Sequence, residues 1–78
     1  MYDYDDFAFY KAIGQKIRQL RVDRGLTQKQ LAHEMNLTST TLISALENGR
    51  GGIYLHDYVR LCKKLNVSPA ELLREDKI

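Results

Sequence analysis

Scarcities set the first limits on this 78-residue chain. A single cysteine, Cys62, excludes an internal disulfide and any multi-cysteine zinc site, which fits a reducing cytosol. No apolar run approaches the roughly 20 residues that span a bilayer, and the acidic start MYDYDD lacks the pattern of a signal peptide, so a cytoplasmic protein with no membrane partner is expected. One proline and no low-complexity tract or repeat leave no sign of a linker. No stretch alternates with a period of two for long enough to argue a strand. A chain this short buries only about 60% of its unfolded surface, so one domain with a small core is expected, without a deep substrate pocket. There is no Ser/His/Asp set, phosphate loop or acidic metal cluster, and His33 and His56 stand far apart. No enzyme, metal or cofactor is expected.

The formal net charge of +2 hides an asymmetry. Residues 1 to 6 hold three acids and no base, which leaves 12 bases against 7 acids in the rest of the chain. An acidic arm over residues 1–6 and a mildly basic domain over 7–78 suit a polyanion partner approached by the domain alone. Of the aromatics here (Tyr2, Tyr4, Phe7, Phe9, Tyr10), Phe7 and Phe9 read as an extension of the first helix's core while residues 1–5 fray; the alternative is that the aromatics pack on a neighbouring subunit.

What is present is helical. Phe9, Ile13, Ile17 and Leu20 form an apolar stripe through a helix at about residues 7–24, closed by Gly25. Thr27-Gln28-Lys29-Gln30 has the form of a capping box and opens a second helix of about two turns, with Leu31, Ala32 and Met35 inward. Asn36, able to adopt the left-handed conformation, makes the turn. A third helix is expected from Thr38 or Ser39 to Glu47, stopping at Asn48-Gly49. Leu55, Tyr58 or Val59, Cys62 and Leu65 mark a fourth, with Cys62 in its core stripe. Ser68-Pro69-Ala70-Glu71 is a second capping box, starting a fifth that carries Leu72 and Leu73. The fold class read from this pattern is all-α, five short helices about one core.

The third helix is rich in poor helix formers: Ser39, Thr40, Thr41 and Ser44 make its exposed face small and polar. Such a helix fits a major groove about 12 Å wide, because short side chains let the backbone approach the base edges.

The run GQKIRQLRVDRGLTQKQLA, then ENG, then LNVSPAELL resembles the Cro/repressor-like helix-turn-helix (XRE) family over residues 11–73. The resemblance implies a compact lambda-repressor-like domain with its helix-turn-helix at residues 28–47. It also implies a sequence-specific transcriptional regulator of phage-repressor or restriction–modification-controller type, bound to double-stranded operator DNA in the nucleoid as a homodimer. By position, Gln28 would contact a phosphate, with Lys29 as an auxiliary. Thr38, Ser39, Thr40, Thr41 and Ser44 would face base edges or nearby phosphates, and Asn48 and Arg50 would grip the backbone. Arg21 and Glu47 would form a structural ion pair. The alternative is an antitoxin or adaptor module whose main partner is another protein, such as a toxin or an antirepressor.

Two features depart from the family pattern. Asn36 stands at the usual turn glycine. Counting forward from Gln28 and Ala32 puts Leu42 at the buried position of the third helix, whereas counting back from Glu47-Asn48-Gly49 puts Ile43 there. One extra residue is implied, absorbed by a longer turn or by a π-bulge. The recognition face also lacks Arg, Lys, Gln and Asn, the side chains suited to bidentate base contacts. Threonine methyls can touch thymine methyls, but direct readout is expected to be modest, with DNA shape, water and dimer spacing supplying the rest.

Overall fold

The computed structural model describes residues 7–74; the acidic arm at 1–6 and the last four residues, including Ile78, lie outside the described residues. The described residues form five α-helices in order: α1 Phe7–Asp23, α2 Gln28–Glu34, α3 Thr41–Glu47, α4 Leu55–Leu65 and α5 Pro69–Leu73. Ile17, Leu31, Ala32, Met35, Ile43, Leu61, Cys62, Leu65 and Leu72 form the buried core, one or more from each helix. The all-α, five-helix expectation therefore holds.

Local chemistry sets the ends of these helices. At the start of α2 the capping box is complete: Thr27 Oγ1 accepts the Gln30 amide at 3.0 Å, and Gln30 Oε1 accepts the Thr27 amide at 2.8 Å. At α5 only the hydroxyl half forms, with Ser68 Oγ accepting the Glu71 amide at 3.0 Å, because the Glu71 carboxylate turns to Arg74 at 3.1 Å. Asn36 and Asn66 take left-handed backbone angles (φ 59° and 57°) at the ends of α2 and α4. The Leu37 amide then reaches back to the Ala32 carbonyl at 2.9 Å, the closure that a left-handed residue permits.

The third helix starts later than the sequence suggests. Thr38, Ser39 and Thr40 form bends, and α3 is regular from Thr41 onward, so the extra residue sits in the turn and no bulge forms. Ile43 is fully buried and Leu42 only partly. The C-terminal end of α3 fixes this register, because Ile43, Leu46 and Glu47 must all reach the core from one helical face. The N-terminal end then yields, helped by three hydroxyl residues with weak helix preference.

Other ambiguities resolve by burial. Tyr58 is partly buried and Val59 exposed, so Tyr58 faces the core on α4. Phe9 is half-buried and meets Tyr10 edge-on at 5.6 Å, while Phe7 is 58% exposed and does not extend the core. Leu72 joins the core and Leu73 remains exposed. Among the described residues, no helix is long and apolar enough to cross a membrane.

Candidate nucleic-acid interface

The scaffold for the site is the contact of α3 with α1. Gly14 is buried in α1, and a methyl group there would lie 2.2 Å from the Leu46 carbonyl oxygen and 2.8 Å from that of Glu47. At the other end of the contact, Gly49 has φ +73°, and a side chain there would come within 2.9 Å of the Lys11 backbone. Gly14 and Gly49 thus let the last turn of α3 lie directly on α1. The Gly49 and Arg50 amides close that turn on the Leu46 and Ala45 carbonyls, at 3.1 and 2.8 Å.

A polar knot holds the same junction. Arg21 donates from Nε to Glu47 Oε2 at 2.6 Å and from Nη2 to Oε1 at 3.1 Å, while its Nη1 satisfies the Leu26 carbonyl at 2.7 Å. Both residues are buried, and the hydrogen bond to Glu47 raises the Arg21 pKa further above its ordinary value. Gln28 adds a third member, donating from Nε2 to Glu47 Oε1 at 3.1 Å. The first residue of α2 is therefore tied directly to the last residue of α3, on the carboxylate that Arg21 of α1 also holds.

The structure brings some of the sequence candidates together and separates others. Gln28 is half-buried against Glu47, whereas Lys29 beside it is exposed. Thr38 and Ser39 are exposed in the turn and Thr40, also outside the helix, is partly buried, which corrects their assignment to the third helix: the buried positions near its end pull the helical start to Thr41. The Ser39 hydroxyl donates to Thr41 Oγ1 at 3.0 Å and accepts the Thr41 amide at 3.3 Å, so these two hydroxyls orient each other. Ser44 is half-buried on α3. Asn48 is exposed but donates from Nδ2 to the Ser44 carbonyl at 2.7 Å, capping its own helix, and Arg50 is exposed just beyond.

With this geometry the comparison with known proteins is direct. A family model described as a helix-turn-helix domain matches residues 14–76. The chain belongs to the helix-turn-helix domain family. The control protein C.BamHI of Bacillus amyloliquefaciens is 38% identical over 61 residues, covering 77% of this chain and 74% of that protein. The solved restriction-modification controller protein C.AhdI from Aeromonas hydrophila matches with a TM-score of 0.76 at 30% identity, over 91% of this chain and 99% of that one. The clp gene regulator ClgR from C. glutamicum gives 0.73 at 31% identity, over 83% of this chain and 82% of that one. As a helix-turn-helix protein of the Cro/repressor type, the chain is a DNA-binding regulator and not an enzyme.

Several residues that position this helix-turn-helix escaped the sequence reading. Gly14 carried a usable signal, because a lone glycine inside an apolar-periodic helix commonly marks close packing. Arg60 donates to the Met35 carbonyl at 3.3 Å and so ties α4 to the end of α2, a contact with no sequence signature. The Tyr58 hydroxyl donates to the Pro69 carbonyl at 2.6 Å and joins α4 to α5. Burial raises the pKa of Tyr58 and of Cys62 alike, so both groups stay protonated under neutral conditions.

Proposed function

We propose that the protein is a transcriptional controller that binds operator DNA as a homodimer, with α3 in the major groove. The observation that carries this reading is the outward side of α3, short and uncharged, held rigidly on α1 by Gly14, Gly49 and the Arg21–Glu47 pair. Short side chains allow close approach to base edges, and rigid support fixes which bases they meet. A second N–H of Gln28 remains to meet a phosphate while Glu47 holds its carboxamide in place. Lys29 and Arg50 flank the unit and supply charge for the backbone. Thr41 and Ser44 meet base edges, Thr38, Ser39 and Thr40 meet the groove from the turn, and Asn48 meets the backbone. Similarity to a control protein, C.BamHI, and to the restriction-modification controller protein C.AhdI favours a restriction–modification controller over a phage repressor.

The test is selection from a randomised duplex library at two salt concentrations, with sedimentation of the recovered complex. The expected result is a palindrome with half-sites about 34 Å apart, or a multiple of that, bound by two chains. Recovery of no motif, with affinity collapsing as salt rises, overturns the reading and favours an antitoxin-like or adaptor role with a protein partner.

A further inference from the structure

The register of α3 turns outward two residues that the sequence did not assign to DNA, Ala45 and Leu42. With Ile43 and Glu47 in the core, 3.6 residues per turn place Thr41, Ala45 and Asn48 on the opposite side, flanked by Ser44 and Leu42. Leu37, Thr38, Ser39, Thr41, Leu42 and Ala45 line an open hollow beside the α2–α3 turn, and its walls are mostly apolar. None of the six carries a charge. The hydroxyls of Ser39 and Thr41 are hydrogen-bonded to each other, so the rim keeps little polar capacity directed into the hollow.

In the major groove, guanine presents two acceptors that call for Arg or Lys, whereas thymine is set apart by its 5-methyl group, which calls for an apolar contact. We propose that this hollow receives the 5-methyl group of a thymine and that Leu42 is the specificity-determining residue. This rests on the DNA-binding reading above, since the hollow is continuous with the outward side of α3. Leu42 also borders a second depression with Gly52, Ile53, Tyr54 and Asp57. The half-buried Asp57 carboxylate makes that side a poor seat for a polyanion, which leaves the side of Thr38 and Ala45 for the base.

The experiment replaces each thymine of the selected operator in turn by deoxyuridine, which removes only the methyl group. Burial of one methyl group corresponds to about 0.8 kcal/mol, so one position per half-site should weaken binding about fourfold. Leu42→Ala should lower affinity for the thymine operator and bind the deoxyuridine operator no worse than the parent protein does. A thermal melt of the variant checks its fold, which should persist because Leu42 lies outside the buried core. Equal binding of thymine and deoxyuridine at every position overturns the inference while leaving the DNA-binding function intact. A fourfold loss that persists in Leu42→Ala assigns the methyl group to another residue and also overturns it. Failure to recover any operator overturns both readings together.

Discussion

At the scale of single residues, the Arg21–Glu47 pair joins stability to the proposed recognition of DNA. It is bidentate and buried, and it also holds Gln28. Glu47→Ala strands the guanidinium among apolar side chains, and loss of one member of such a pair costs about 3–5 kcal/mol. The urea midpoint of Glu47→Ala should fall accordingly. Replacing both charges, Arg21→Met with Glu47→Leu, leaves no stranded ion and should recover most of the loss. The double variant nevertheless removes the acceptor that orients Gln28. It should therefore fold normally yet bind operator more weakly, by up to about tenfold if one phosphate hydrogen bond of about 1.4 kcal/mol is lost. Full operator affinity in a folded double variant would free Gln28 from this role.

At the scale of helices, the two ends of α3 obey different constraints. Its C-terminal end rests on α1 through Gly49, whereas Gly25, equally left-handed at the end of α1, has open space around it. Gly25→Ala should cost about 1 kcal/mol, the conformational penalty alone. Gly49→Ala must also push Lys11 aside and should cost about 1–3 kcal/mol more, which parallel urea titrations of the two variants would resolve. The same asymmetry explains what the sequence could tell. Caps, turn residues and apolar spacing located α1, α2, α4 and α5, because these signals are local. The start of α3 was illegible for a physical reason: Thr38–Thr40 are indifferent to helix, and their conformation depends on where Ile43 and Glu47 dock on α1. Gly14 signals close packing, but its partner was hidden likewise, since Leu46 and Glu47 lie more than 30 positions away. The α4–α5 junction adds a pH dependence. Burial raises the pKa of the Tyr58 phenol and the Cys62 thiol, so the folded chain retains protons that the unfolded chain releases. Stability should be full below the ordinary thiol range near 8.5, begin to fall above it, and fall more steeply beyond about 10. Urea titrations at pH 7, 8.5 and 10 would show this, and Cys62→Ala should remove the first part of the decline.

At the scale of the whole molecule, the proposed interface divides affinity and specificity between different groups. The outward side of α3 has no charge, so ionic attraction to DNA falls to residues around it, of which Lys29 and Arg50 are exposed and flank the helix-turn-helix. Two cations per chain give four in the proposed homodimer, and at about −0.9 per phosphate the logarithm of affinity should fall with that of salt at a slope near −3.6. Tripling the salt should then weaken binding about fiftyfold. Lys29→Ala removes two of the four contacts and should bring the slope to about −1.8, so that the same change in salt costs about sevenfold. An unchanged slope would remove Lys29 from the backbone contact, and a slope near −10 would bring many more of the 12 lysines and arginines onto the DNA. A methyl contact at Leu42 releases no counterion. The ratio of affinities for thymine and deoxyuridine operators should therefore stay constant across the same salt series, even as both affinities fall. A ratio that shrinks with salt would mean that loss of the methyl group acts by disturbing the phosphate contacts, and that charge rather than shape sets the specificity of this domain.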